Sequence, residues 1–221
     1  PGESISMKEN NKEFPSKGWI LAFHPDLICG TPLGLNIHNY TFFSYCPEEA
    51  LHLSLREKQI ILEFLERIRQ ELERCIDRHS KKIISKYIEL LLDYCTRFYE
   101  RQFITRSEVN KKVFREFNHL LDNHFNVKVS LSTDVLSDEY CANLLHLSPA
   151  YFNDLLKYEI GKEFKEYIQF KRFEIAKGWL VNTDKTLGQI AQELGFSNSQ
   201  YFSRLFKKIT GCSPNEFRMP N

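Results

Sequence analysis

The sequence predicts a mainly α-helical fold: a C-terminal seven-helix domain with two helix-turn-helix units, a helical hairpin before it, and a partial β region at the N-terminus. Apolar residues recur at helical spacing over most of the chain. A pattern of roughly 50 residues occurs twice in the second half. Residues 1–55 instead hold closely spaced prolines and glycines between short apolar pieces.

The composition indicates a soluble globular protein and little more. Of the 221 residues, 42% are apolar and 27% are charged, and the formal net charge is +1. The overall charge therefore does not point to a nucleic-acid partner. No apolar run reaches the roughly 18 residues that a membrane helix needs, which predicts no membrane partner. The start at Pro1 has neither an initiating methionine nor a signal-peptide pattern, which favours a chain whose natural beginning is absent.

The cysteines and histidines show no ligand spacing. None of the six cysteines forms a CxxC pair. Cys75 and Cys95 lie within helical apolar patterns, so we expect buried, reduced thiols, which suit a cytoplasmic protein. The seven histidines form no HxH or HExxH pattern. The sequence therefore predicts no metal site and no cofactor.

Residues 1–55 are predicted to be the end of a β domain. The pieces 18–23 and 40–45 are rich in aromatic and other apolar residues, and each is too short for a helix. Two or three strands do not form a stable sheet alone. We therefore expect these residues to complete a barrel or sandwich whose first half lies outside the chain.

Helical periodicity begins after residue 54. Ser54-x-x-Glu57 has the spacing of a capping box, and apolar residues follow at helical spacing as far as Ile76. A second helix is expected from Ser80, and it is apolar around much of its circumference, so that it must be covered on several sides. These two elements predict a helical hairpin.

The rest of the middle region is predicted to be a third helix over 105–125 and a polar linker over 126–133. The helices within 56–103 have two interpretations. They form either a hairpin that only packs on the strands, or a hairpin that is also the interface of a homodimer.

A repeat in the second half carries the functional argument. Residues 151–161 align with 201–211, where Tyr, Phe, Leu, Lys and Gly match in place, and matches continue on both sides. Each copy has the pattern of a helix, a turn and a helix. The apolar stripe of each second helix predicts these core residues: Tyr151, Phe152, Leu155, Leu156, Tyr201, Phe202, Leu205 and Phe206.

Capping residues mark the helix ends in both copies. In the second copy Gln189 completes a capping box, Gly195 makes the turn, and Ser197 is expected to cap the following helix. In the first copy Ser148 is the expected cap. There His146 takes the place of the turn glycine.

The outward faces of the second helices, predicted over 149–160 and 198–210, are short and polar. When such a helix enters a major groove, amide side chains can bond adenine edges and arginine can bond guanine. The candidate DNA-binding residues are Ala150, Asn153, Asp154, Lys157, Asn198, Ser199, Gln200, Ser203, Arg204 and Lys207. A merely solvated face is the alternative, and the repeat is what favours DNA. A helix over 164–180 would join the two units and set their spacing.

One segment resembles the signature of AraC/XylS transcriptional regulators: Ile190-Ala191-x-x-x-Gly195-Phe196-Ser197-x-x-x-Tyr201-Phe202-Ser203-Arg204-x-Phe206-Lys207-Lys208-x-x-Gly211-x-Ser213-Pro214-x-Glu216-Phe217-Arg218. The resemblance covers 134–218 and implies two helix-turn-helix units in successive major grooves. It also implies an N-terminal sensing domain, because 1–55, with Phe23-His24-Pro25-Asp26, resembles the end of a cupin barrel. Dimerisation through 56–103 and contact with RNA polymerase are further family expectations.

Two features depart from a strongly DNA-binding pattern. Asp154 stands where the family often has arginine, and phosphates repel a carboxylate, although it can accept a hydrogen bond from cytosine. Residues 196–218 hold four basic residues against Glu216, a net charge of +3, whereas 130–221 hold 11 basic and 11 acidic residues. We therefore expect modest phosphate contacts, mostly from the second unit.

The sequence thus predicts a bacterial, cytoplasmic, sequence-specific regulator of transcription that binds double-stranded DNA and is controlled by a small-molecule effector or a partner. The expected domain division is a cupin-like end over 1–55, a helical dimerisation region over 56–125, a linker over 126–133 and a DNA-binding domain over 134–221.

Two other functional classes are the alternatives to this prediction. The first is a sensor or interaction protein with weak or lost DNA binding, and a salt-dependent binding slope discriminates it from a regulator. The second is an enzyme, which is not expected. His24, His38 and His52 lack ligand spacing, and the sequence has no phosphate-binding loop or nucleophile motif.

Overall fold

The computed structural model describes residues 18–126 and 136–219, which form helices, turns and irregular segments without a β-strand. The prediction of a mainly α-helical fold is therefore confirmed. The helices of the first part are α1 Pro25–Ile28, α2 Pro32–Asn36, α3 Leu55–Leu72, α4 Ser80–Thr105 and α5 Ser107–Asn126. Single turns of 3₁₀ helix lie at Ile37–Asn39, Thr41–Ser44 and Pro47–Glu49.

The predicted β pieces are wrong within the described residues. Residues 18–24 have no regular structure, and 40–45 contain a 3₁₀ turn. The prolines explain the difference, because Pro25, Pro32 and Pro47 each stand at the start of a helical turn. Proline is well suited to that position, so these residues begin helices and do not punctuate strands. Residues 1–17, which were assigned to the same β region, lie outside the described part.

The predicted helical hairpin is confirmed and is formed by α3 and α4. The Ser54 hydroxyl accepts from the Glu57 N–H while the Glu57 carboxylate accepts from the Ser54 N–H, so the capping box is complete. Helices α1 and α2 cover the hairpin in place of the expected strands. The shared core consists of Ile28, Leu33, Ile68, Ile84, Ile88, Leu91 and Leu92.

The prediction of buried thiols is wrong for half of the cysteines. Helix α3 ends at Leu72, so Cys75 and Ile76 lie beyond it and are exposed. Cys29 and Cys46 are also exposed, whereas Cys141 is buried and burial raises its pKa to about 11. All six cysteines lie in the described ranges and none is in a disulfide. Helical periodicity alone therefore overestimated both the length of α3 and the burial of its end.

Six helices lie within 136–219: α6 Asp138–Leu144, α7 Pro149–Ile160, α8 Phe164–Asn182, α9 Leu187–Glu193, α10 Ser199–Thr210 and α11 Pro214–Arg218. Helix α5 adds a seventh to their packing. Its Phe117 and Leu121 are fully buried against Phe152 of α7 and Phe164 of α8. The predicted linker 126–133 lies outside the described residues except for Asn126, which ends α5.

Helix α8 joins two separate cores. Its first half contributes Phe164, Tyr167 and Ile168 to a core with α5, α6 and α7. Its second half contributes Phe173, Ala176 and Leu180 to a core with α9 and α10. The predicted joining helix is therefore confirmed. It is also a structural part of both units, so their relative position is set by one continuous helix.

Candidate nucleic-acid interface

Two helix-turn-helix units, α6–α7 and α9–α10, present the candidate residues. In the second unit Gly195 makes the turn with a φ of 73°, a left-handed conformation that favours glycine. In the first unit His146 makes the same turn with a φ of 56°, and it is the one non-glycine residue with positive φ among the described residues. The two turns therefore share one geometry although the residue at the turn differs.

Replacing His146 with glycine is expected to stabilise the protein slightly. A left-handed conformation costs a non-glycine residue about 1–2 kcal/mol, and part of that gain is offset by the greater freedom of glycine in the unfolded chain. We expect the free energy of unfolding in urea to rise by about 0.5 kcal/mol. The matched change Gly195→Ala should lower it by about 1 kcal/mol. If both substitutions changed the free energy of unfolding by the same amount and in the same direction, the shared turn geometry would be contradicted.

The second helix of each unit starts at a side-chain cap three residues before a tyrosine. The Ser148 hydroxyl accepts from the Tyr151 N–H at 3.2 Å, as predicted. In the second unit the cap is Asn198, whose side-chain oxygen accepts from the Tyr201 N–H at 2.7 Å. The assignment of Ser197 as the cap is therefore wrong. The cap lies three residues before the tyrosine in both units, and in the second unit that position is Asn198.

The predicted core stripe is buried in the first unit, with Tyr151, Phe152, Leu155 and Leu156 all below about one tenth exposed. In the second unit Phe202 and Phe206 are fully buried. Tyr201, however, is 43% exposed against 5% for Tyr151. The prediction that Tyr201 is a core residue is wrong, and the difference shows that something outside the repeat covers the first unit.

The outward face of α10 is open to solvent. Gln200, Arg204 and Lys207 are exposed, and neither Arg204 nor Lys207 makes an ion pair within the described ranges. Ser199 and Ser203 are half-buried, and the Ser203 hydroxyl donates to the Ser199 carbonyl at 2.7 Å. Five of the six candidate residues of the second unit thus lie on one helix, and Asn198 caps its start.

Not all of the predicted positive charge beside α10 is free. The Arg218 guanidinium donates to the Lys185 carbonyl, and its Nε is buried without a partner. Lys185 in turn pairs with Glu193 and lies 3.9 Å above the ring of Trp179. The exposed cations on α10 itself are Arg204, Lys207 and Lys208, and the last of these was counted in the charge but not among the candidate residues.

The candidate residues of the first unit are engaged with other side chains. The Asn153 amide donates to Asp138 at 2.9 Å, and the Lys157 ammonium pairs with Glu163 at 3.1 Å. Ala150 is half-buried. The outward face of α7 is therefore less available than that of α10, even though the sequences of the two helices are similar.

Asp154 is held by a residue far away in the sequence. The Tyr45 hydroxyl donates to its carboxylate at 2.7 Å, across 109 residues. The Tyr45 ring packs edge-on against Tyr151, with ring centroids 5.2 Å apart. Burial and the bond to Asp154 raise the pKa of the Tyr45 hydroxyl far above its usual range. Tyr45 is therefore held over the first turns of α7 by a hydrogen bond to Asp154 and a ring contact with Tyr151.

Glu49 binds the N-terminal end of α7, and sequence reasoning missed this contact. Its carboxylate is 4% exposed and accepts from the Ser148 N–H at 2.7 Å and the Ser148 hydroxyl at 2.5 Å. It also accepts from the Cys46 N–H at 2.7 Å. The three-residue spacing of Cys46 and Glu49 is compatible with their local bond, but it does not indicate Ser148 as a partner.

Neither a metal-binding cluster nor a membrane-spanning helix is found in the described part of the chain. No group of three or more His, Cys, Asp or Glu side chains there is arranged to hold a metal ion. No helix in 18–126 or 136–219 is both long enough and apolar enough to cross a membrane.

Residues 141–219 match the protein family described as a helix-turn-helix domain. The chain is 33% identical over 111 residues to the uncharacterized HTH-type transcriptional regulator YtdP of Bacillus subtilis (strain 168), covering 50% of this chain and 14% of that protein. It is 32% identical over 101 residues to the arabinose operon regulatory protein of Salmonella typhimurium, covering 46% of this chain and 32% of that protein.

A third similarity extends beyond the helix-turn-helix region. The uncharacterized HTH-type transcriptional regulator YijO of Escherichia coli (strain K12) is 25% identical over 218 residues, covering 99% of this chain and 73% of that protein. The chain spans less than half the length of the first curated relatives that it matches. These matches support the resemblance to AraC/XylS regulators, whereas no cupin-like β structure is seen in residues 18–55.

Proposed function

We propose that the chain is a sequence-specific DNA-binding regulator of transcription of the AraC/XylS type, and that α10 is its principal reading helix. One observation carries the proposal most directly. Gln200, Arg204 and Lys207 stand exposed on a helix whose opposite face is anchored by the fully buried Phe202 and Phe206. A rigid helix with a free polar face is what major-groove recognition requires.

The chemistry of this face suits base edges and phosphates. An arginine such as Arg204 can form a bidentate bond to guanine, and an amide such as Gln200 can do so to adenine. Lys207 can neutralise a phosphate. The Asn198 oxygen is occupied as a cap, but its amide N–H groups remain available as donors. Ser199 and Ser203 are short enough to allow close approach of the helix to the groove.

Helix α7 is proposed as the second reading helix, through Ala150, Asn153, Asp154 and Lys157. Helix α8 has 19 residues, so it spans roughly 28 Å at about 1.5 Å per residue. That length is close to the roughly 34 Å between successive major grooves on one face of the duplex. Each of these candidate side chains except Ala150 has a protein partner now, so DNA would have to replace that partner.

Four further properties are proposals drawn from the resemblance. They are control by a ligand or partner through the N-terminal half, action in the cytoplasm, contact with RNA polymerase, and homodimerisation through 56–103. YtdP and YijO are named as transcriptional regulators, which points away from an enzyme. The competing function is a sensor or interaction protein with weak DNA binding. The engaged state of Asp154 and the zero net charge of 130–221 favour it.

The test begins with duplexes that this protein selects from a pool of bacterial promoter fragments. Fluorescence anisotropy then measures their binding at several salt concentrations. Arg204→Ala is expected to weaken binding to the selected duplex at least about tenfold, because a bidentate base contact is lost. Arg204→Lys keeps the positive charge but loses the guanidinium group that forms a bidentate bond. This variant should therefore lose its preference for the selected duplex while it still binds random DNA.

The matched control is Lys58→Ala, which removes one positive charge from an exposed position on α3. It should leave the preference for the selected duplex unchanged. If the wild-type chain binds no fragment better than random DNA at low salt, the regulator proposal fails for this chain and the competing function is favoured.

A further inference from the structure

The two helix-turn-helix units differ most at the start of their second helices. In the first unit the cap Ser148 is 4% exposed and Tyr151 is 5% exposed. In the second unit the cap Asn198 is exposed and Tyr201 is 43% exposed. Because the two units repeat one sequence pattern, the difference must come from what covers the first of them.

The cover is the segment of residues 45–52, which lies between α4 and α7. At one end of the segment Tyr45 and Glu49 contact α7. At the other end the segment is tied to Gln102 of α4, a side chain that is 2% exposed. The Gln102 amide donates to the Ala50 carbonyl at 3.2 Å and its oxygen accepts from the His52 N–H at 2.7 Å. The segment is therefore anchored to the helical hairpin while it holds α7.

Glu49 is bound at the N-terminal end of α7, a position that also suits a phosphate. The first N–H groups of a helix point out of its N-terminal end and attract anions, and in DNA complexes they commonly bind phosphate oxygens. At α7 the Ser148 N–H and hydroxyl are both bonded to the Glu49 carboxylate. A phosphate would bring a second negative charge to the same donors. The two anions therefore exclude each other.

Tyr45 closes the base-reading side of the same helix. Its hydroxyl binds Asp154, and its ring covers Tyr151. Phe103 of α4 adds to the cover, with its ring centroid 5.3 Å from that of Tyr151. While Tyr45 is in this position, its hydroxyl occupies one carboxylate oxygen of Asp154 that a base would otherwise contact.

We propose that the 45–52 segment is an autoinhibitory strap, which keeps the first unit closed to DNA while the second unit stays open. The inference rests on the proposed function, because it concerns how the two reading helices are used. In the strapped state the protein binds DNA through α10 alone, and release of the strap adds α7. DNA and the strap compete for α7, so whatever loosens the strap raises the affinity for a two-groove site, and DNA loosens the strap in turn.

The test uses the full chain and two duplexes. The first duplex is selected from a random pool and long enough for two successive major grooves, and the second keeps only the part protected by α10. Glu49→Gln removes the charge from the strap without changing its shape, and Tyr45→Phe removes only the hydroxyl. Each variant is expected to bind the long duplex about tenfold more tightly than wild type, and the short duplex equally. The protected region on the long duplex should lengthen by one groove.

The matched controls lie beside the strap contacts. Glu48→Gln changes the exposed neighbour of Glu49, and Tyr40→Phe removes a hydroxyl that bonds Asp93 of α4 and does not touch α7. Both should bind like wild type on both duplexes. Once the strap is released, Asp154 is free in the wild type and in Tyr45→Phe alike. A difference in affinity between these two proteins therefore reports only how strongly each favours the strapped state. If Glu49→Gln does not fold, Tyr45→Phe alone decides.

Two results would contradict the strap, and they have different consequences for the proposed function. If all variants match wild type on both duplexes while Arg204→Ala still abolishes selective binding, the strap is wrong and the regulator proposal stands. If neither wild type nor any variant prefers a selected duplex over random DNA, the proposed function is wrong, and the strap falls with it.

Discussion

Replacing Phe202 with alanine is expected to lower the free energy of unfolding of the second helix-turn-helix unit by about 3–5 kcal/mol. The Phe202 ring is fully buried and lies between three other aromatic rings, with centroid distances of 5.2 Å to Phe196, 5.6 Å to Phe206 and 6.2 Å to Phe173. Alanine would leave a cavity that these rings can fill only in part, because each is held by α8, the turn or α10 itself.

Chemical denaturation monitored by circular dichroism measures this loss, and hydrogen exchange locates it. Amides of α9 and α10 should exchange faster, whereas those of α6 and α7 should change little, because Phe202 does not belong to the first core. Ile209→Ala is the matched control, since Ile209 lies on the same helix and is 52% exposed. Its effect should stay within about 0.5 kcal/mol. A similar loss in both variants would contradict the packing described for α10.

Replacing Phe117 with alanine is expected to destabilise the first unit by about 3–5 kcal/mol, although Phe117 lies outside the region that matches the helix-turn-helix family. Its ring is fully buried, with centroid distances of 5.0 Å to Phe152, 5.8 Å to Tyr167 and 6.0 Å to Phe164. The edge-on contact with Phe152 connects α5 directly to the proposed reading helix α7.

The comparison for Phe117 is Val109→Ala on the same helix, where the side chain is 60% exposed. Denaturation should show a large loss for Phe117→Ala and little change for Val109→Ala. Faster exchange should then appear at α6 and α7 and leave α9 and α10 protected. If the two substitutions have the same small effect, α5 is not a structural part of the first unit.

Most of the helical architecture could be predicted from local patterns. The capping box at Ser54, the cap at Ser148 and the left-handed turn at Gly195 are contacts between residues a few positions apart. Such contacts depend on residue type and spacing alone, which is why they can be read before the fold is known. The error at Ser197 arose because the repeat was aligned by sequence similarity and not by the geometry of each cap. The error at Tyr201 has another cause, because Tyr151 is covered by residues outside the repeat and Tyr201 is not.

The β prediction for 18–23 and 40–45 failed for a different reason. Short aromatic and apolar pieces between prolines are compatible with strands and with helical turns, and periodicity cannot separate them over six residues. What decided the outcome was the surface that these residues cover. Leu21, Phe23 and Phe42 pack against the apolar side of the α3–α4 hairpin, and the described ranges contain no strand with which they could pair.

The sequence by itself determined that the chain is mainly helical, that its second half has two helix-turn-helix units, and that the polar faces of their second helices are candidate interfaces with DNA. Only the tertiary structure decided that α5 completes the first core and that the two units are not equally accessible. The bonds from Glu49 to Ser148 and from Tyr45 to Asp154 join residues 99 and 109 positions apart. Such pairs leave no local signal, because they exist only once the hairpin, the 45–52 segment and α7 have packed together.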